Sequence, residues 1–354
     1  MLAEPGEHLL LGAFRPRPAG GPGRALLRTI LTALAALAVC TASSGRASAF
    51  CRTTTCPLPP QFAPSDGECV PPDFDQWCAS QSPPAKILPV YWSNACVSYD
   101  IQANASKQVP YDKAVELFAA AFAKWTNTRC PSEGDGRISI DVKNLGPVAC
   151  DKVQYNSDQG NQHVILFYDT GWPYEADTNN TLGLTTITFN PDTGEIYDAD
   201  MAIKSTPDTP LSLRDPVPRN GYDFQSIITH ETGHFLGMAH SGNEMATMFA
   251  HYTQGTTWMR TLSADDTDGI CSIYLPNGDR SVDRSVSASG TVAEAACDPT
   301  PRHGWQSVCA QTLGCSLSGD TAAGARTGRG WPALLAIAQA IAAAARRRAR
   351  PRRM

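Results

Sequence analysis

"HETGHFLGMAH" runs from His230 to His240 and holds three of the chain's seven histidines. The segment ahead of it, "DFQSIIT" from Asp223, has helical character. His230 and His234 are four residues apart, so on a helix both imidazoles project from one face and can share a metal ion. Glu231 lies one position on, near enough to reach a water on that metal without ligating it. Gly237 permits a sharp turn with φ > 0 that ends the helix and brings His240 round as a third ligand. Three neutral nitrogens with an open fourth position describe a catalytic zinc, not a closed structural one. The competing reading is a surface helix with satisfied histidines. HExxH alone leaves both open; five fixed positions (His230, Glu231, His234, Gly237, His240) after a helical lead-in favour the metal.

Working outward, "VPYDKAVELFAAAFAKWTN" places Val115, Phe118, Phe122 and Trp125 on one helical face. "RISIDV" alternates Ile138, Ile140 and Val142 with Ser139 and Asp141, as a half-buried strand does. "HVILFYD" is a continuous apolar run suited to a central strand, and "LTTITF" and "EIYDADMAI" flank the tight connection Asn190 to Gly194. A last helix begins at Ser263, with Asp266 completing a capping box and Ile270, Ile273 and Tyr274 facing inward.

The two ends read differently from the body. Residues 1–49 carry arginines, an apolar run from Ile30 to Val39 and the small-residue site "ASA" (Ala47 to Ala49), the pattern of a secretory signal peptide. Residues 50–84 form a Cys/Pro-rich extension, 85–276 the globular domain, and 277–313, rich in Ser, Gly, Asp and Arg, a linker. In 314–354 an apolar stretch, Trp331 to Ala345, precedes "RRRARPRR". It falls short of the roughly 20 residues that span a bilayer, yet its basic end resists translocation, which implies transient membrane association.

Of 29 basic and 34 acidic residues, 13 and 3 lie outside 50–315, leaving 16 against 31 there and a net charge of −15. Such a body repels phosphate backbones, which argues against nucleic-acid binding. Ten of the twelve cysteines remain when Cys40 and Cys315 are set aside, an even number that suits disulfides in an exported chain; their connectivity is not readable.

The motif resembles that of the metzincin zinc endopeptidases. Ser241 and "ATMFA" are similar to the matrixin, matrix-metalloprotease-like branch, over about Lys86 to Pro276. The resemblance implies an α+β fold: a mixed twisted sheet, two long helices and a final C-terminal helix. It implies Met248 as the Met-turn residue beneath the site. It also implies that Gly183 to Phe189 pairs with an extended protein or peptide substrate, and that residues 249–262 shape the S1′ pocket. Glu231 would act as general base towards a zinc-activated water.

Departures are visible as well. No cysteine-switch motif of the PRCGxPD type occurs in the sequence, and the loop "TGWPYEADTNNTLG" lacks the histidines of a structural zinc site, so one catalytic zinc is expected. Asp169, Glu175 and Asp177 offer calcium ligands, against the plainer reading of a solvated acidic loop. Phe249 stands where matrixins usually carry Tyr, and Tyr252 lies four residues after Met248 rather than the two of an astacin-like tyrosine ligand.

"GCS" (Gly314 to Ser316), a Gly/Ala spacer, the apolar stretch and the arginine cluster resemble the myxobacterial MYXO-CTERM sorting signal. That resemblance implies processing at Cys315 by a sorting enzyme and display at the outer cell surface. The expectation is therefore an exported zinc endopeptidase. Its rivals are a catalytically idle adhesin on the same scaffold and a disulfide-held structural protein.

Overall fold

The computed structural model describes residues 50–59, 62, 68–174, 181–282 and 290–310, and the backbone of 7–10 and 15–16. An unbroken run of apolar residues suits a strand covered on both faces, and Val164–Tyr168 lies at the middle of the main sheet. With β1 (Cys96–Gln102), β2 (Asp141–Val148), β3 (Val164–Tyr168), β4 (Gly183–Phe189) and β5 (Ile196–Lys204), the order is β2-β1-β3-β5-β4. The first four in that order run parallel, and β4 runs antiparallel to β5. The leading segment Glu7–Leu10 adds an antiparallel partner on the outer edge of β4.

Among the described residues four α-helices accompany the sheet: α1 (Phe74–Ala79), α2 (Tyr111–Thr126), α3 (Phe224–Phe235) and α4 (Ala264–Cys271). This is the α+β arrangement expected, with α1 as a short addition. Helix α2 buries Phe118, Phe122 and Trp125, while Val115 is half-buried at the margin of the same face. Phe118 meets Phe224 edge-on with ring centroids 5.9 Å apart, and Phe122 meets Phe235 at 5.1 Å. Each such ring taken from water contributes about 1.5–3 kcal/mol, so this seam is a main tie between α2 and α3. Ser263 and Asp266 form the expected capping box of α4, and Ile270, Ile273 and Tyr274 are fully buried.

Two segments differ from the sequence reading. The strand read from "RISIDV" begins only at Asp141; Ile138 and Ile140 are fully buried ahead of it, and Ile138 N–H donates to Thr128 O at 3.0 Å. Strand β2 runs on through Gly146 and Pro147, which a sheet-edge position tolerates. Within the stretch that reads as linker, the described residues 279–282 and 290–310 fold back on the domain. Asp279–Ser281 pairs with Thr291–Ala293, and Arg280 is fully buried, donating to the carbonyls of Trp92 and Asn94 at 2.9 Å each. Cys297 bonds to Cys96 and Cys309 to Cys150, closing chain segments of 201 and 159 residues. The other pairs are Cys51–Cys69, Cys56–Cys78 and Cys130–Cys271. Among the described residues no helix is long and apolar enough to cross a membrane; Cys315 and 331–354 lie outside them.

Candidate metal centre

Helix α3 starts where Asp223 accepts the Ser226 N–H at 2.9 Å, satisfying one of the orphan donors of the first turn. Arg260 holds the same carboxylate through two hydrogen bonds of 2.8 and 2.7 Å, and Asp223 N–H donates to the Tyr252 hydroxyl at 2.9 Å. Tyr252 in turn donates to Thr256 O at 2.5 Å, so its hydroxyl serves the helix start.

At its other end α3 stops at Phe235, and Gly237 adopts φ +94°, the left-handed turn read from the motif. The disulfide-tied extension secures this turn. Thr53 N–H donates to Gly237 O at 3.0 Å, and Ala239 N–H donates to Cys51 O at 2.9 Å.

The turn brings His240 to His230 and His234, with one potential ligand atom from each lying within 4.8 Å of the others. His230 Nδ1 donates to Thr247 O at 2.7 Å, and His234 Nδ1 donates to Met238 O at 2.8 Å. Those bonds fix the tautomers and direct each Nε2 lone pair inward, the second-shell arrangement of a metal-binding imidazole. Burial pushes both imidazoles below their ordinary pKa, His234 to about 4, which keeps them neutral. The donor set therefore fits zinc: three imidazole nitrogens, two on buried residues and the third on a half-buried one.

Met248 is fully buried beneath α3, and a Cβ on Gly233 would lie 2.3 Å from its sulfur. Three hydrogen bonds tie down the turn around it. Asp266 accepts Thr247 N–H at 2.7 Å and Met248 N–H at 3.0 Å, and Ser241 N–H donates to Met248 O at 2.8 Å.

Glu231 is fully buried, and desolvation pushes its carboxyl up to about 8 against a lowering hydrogen bond from Thr185. That bond, Thr185 Oγ1 to Glu231 Oε2 at 2.7 Å, was not singled out in the sequence, where three threonines of "LTTITF" look alike. Gly183 is the other neighbour: a Cβ there would meet Glu231 Oε1 at 2.6 Å.

Of the alternative calcium ligands, Asp169 is the one among the described residues. Asp169 accepts from the hydroxyls of Ser106 (2.6 Å) and Ser205 (2.7 Å) and from Lys107 N–H (2.9 Å), while Glu175 and Asp177 lie outside the described residues. Among the described residues the three histidines are the one such cluster.

Known proteins are similar to this chain in sequence. Metalloendoproteinase 1-MMP of Arabidopsis thaliana is 29% identical over 163 residues, covering 46% of this chain and 38% of that protein. Neutrophil collagenase of Homo sapiens is 26% identical over 165 residues, 46% and 32% of the two chains. Stromelysin-1 of Rattus norvegicus is 47% identical over 51 residues, 14% and 11%. The chain thus spans less than two fifths of the length of these relatives. The family described as Matrixin (Peptidase_M10) matches residues 91–275. That span contains every strand of the main sheet from β1 to β5, the three histidines, Glu231, Met248 and α4, and on it the chain belongs to the matrixin family.

Proposed function

We propose that the protein is a zinc-dependent endopeptidase that hydrolyses peptide bonds of extracellular proteins. The observation that carries this is the convergence of three imidazoles on one point beside a buried carboxylate with one anchored oxygen. His230, His234 and His240 would hold the zinc, which when bound supplies Lewis acidity towards a water and the scissile carbonyl. Glu231 takes the proton of the attacking water and hands it to the leaving amine, so the base is regenerated in each cycle. The carbonyls of Thr247 and Met238 hold the imidazoles of His230 and His234 in place.

The substrate is read as an extended strand on the outer edge of β4. Support comes from the chain's own leading segment: Glu7–Leu10 pairs antiparallel with β4, and Arg15–Pro16 pairs parallel with His251–Tyr252. Main-chain pairing of this kind gives affinity with little sequence selectivity, leaving selectivity to the 249–262 segment.

Five disulfides among the described residues favour an oxidising compartment. With the signal-like 1–49 and the Cys315 tail, they support export and display at the cell surface after processing near Cys315. Cleavage of casein that a chelator abolishes and zinc restores tests the enzymatic reading, and full activity of metal-free protein contradicts it. Intact-mass analysis tests the processing, which a surface form retaining Trp331 to Met354 would contradict.

A further inference from the structure

We propose that Thr185 is a positioning residue for Glu231, an inference that rests on the peptidase reading above. Its hydroxyl holds one carboxylate oxygen and leaves the other to accept the proton of water.

Successive side chains of a strand point to opposite faces, so positions 183 and 185 share one face of β4; here that face looks onto Glu231 of α3. At 185 the strand presents a donor. Thr185 Oγ1 lies 2.7 Å from Glu231 Oε2 and 3.3 Å from the Glu231 carbonyl oxygen, and both residues are fully buried. Among the described residues this is the one hydrogen bond to the Glu231 carboxylate, and Oε1 has no protein partner. At 183 the strand presents a gap instead. A Cβ there would stand 2.6 Å from Oε1 and 2.9 Å from the carboxyl carbon, so any residue but glycine displaces the carboxylate.

The two oxygens are thus chemically unequal. Oε2 shares its electron density with the Thr185 hydroxyl proton, while Oε1 keeps its lone pairs for an incoming proton. A carboxylate buried without a donor is free to swing and is costly to keep charged. The Thr185 bond opposes both tendencies. A general base must sit within hydrogen-bond reach of the proton it takes, and small displacements of such a group lower the rate steeply.

The test uses the full zinc-loaded chain with Thr185→Val, which keeps the β-branched shape of the strand residue, and Thr185→Ser, which keeps the hydroxyl. With a quenched fluorescent peptide, Thr185→Val should lower kcat roughly 10- to 100-fold, the range of a charge-assisted hydrogen bond, and leave KM within about twofold. Thr185→Ser should recover to within about threefold of the parent. Zinc content should stay at the parental level in both variants.

A peptide hydroxamate gives a readout apart from turnover, because its acidic hydroxyl also donates to the base. Its affinity should fall in Thr185→Val and return in Thr185→Ser. A Thr185→Val enzyme with parental kcat and hydroxamate affinity overturns the proposal. So does a Thr185→Ser enzyme as slow as Thr185→Val, which would make 185 a packing position. If the parent itself cleaves no peptide, the peptidase reading fails, and hydroxamate affinity alone still decides the role of Thr185.

Discussion

Gly233 lies on α3 between Glu231 and His234, and Gly233→Ala sets two effects of opposite sign against each other. On an exposed helix the change stabilises by up to about 1 kcal/mol, because alanine loses less backbone entropy on folding. Here the added Cβ would stand 2.3 Å from Met248 Sδ, 2.7 Å from Trp125 Cζ2 and 3.1 Å from Trp125 Cη2. Carbon atoms in contact prefer about 3.5–4.0 Å, so two neighbours must each give way by roughly an ångström. Neither can do so easily. Trp125 is fully buried and its indole N–H is fixed to Thr229 O at 2.8 Å; Met248 is fully buried against α3. Overpacking of this kind costs about 1–3 kcal/mol, and the net expectation is destabilisation by about 1–2 kcal/mol. A second consequence is local: moving Met248 disturbs Thr247, whose carbonyl fixes His230, so zinc affinity should fall as well. Urea unfolding of the zinc-loaded protein, with zinc affinity by competition against a chromogenic chelator, reads both. A Gly233→Ala protein that is more stable than the parent and binds zinc equally well would refute the packing argument.

Gly237→Ala should cost about 1–2 kcal/mol, because the residue occupies φ +94°, where a Cβ is strained; zinc affinity should fall with it, since this turn delivers His240. Parental stability and zinc affinity would contradict that role. Asp200 and Asp198 are buried side by side on β5, and desolvation pushes the Asp200 carboxyl up to about 8. Between the unfolded value near 3.9 and about 8 the folded state holds the extra proton, so stability should decline as pH rises through that window. Asp200→Asn should flatten the pH dependence of the urea midpoint between pH 5 and 8, and an unchanged slope would refute the assignment.

The metal centre was legible in the sequence because its geometry is local: the spacing of His230, His234 and Gly237 fixes a face and a turn whatever surrounds them. The central strand was legible for a similar reason, as an unbroken apolar run. What stayed hidden depends on distant pairing. Residues 279–310 have the polar composition of a linker, yet Arg280 finds backbone carbonyls at Trp92 and Asn94, and Cys297 and Cys309 find Cys96 and Cys150. Nothing local marks those partners. The role of Thr185 was equally hidden, since only the packing of β4 on α3 shows which threonine of the strand meets Glu231.

The most direct measurement determines zinc content and peptide hydrolysis side by side for the parent, Glu231→Ala and His240→Ala. Removing the base while leaving every proposed ligand should keep about one zinc per chain and lower hydrolysis by at least 100-fold, the lower range for a positioned acid–base group. Removing the ligand should weaken the metal itself. Glu231→Ala protein that cleaves peptide at the parental rate, or parent protein that binds no zinc, would contradict the account.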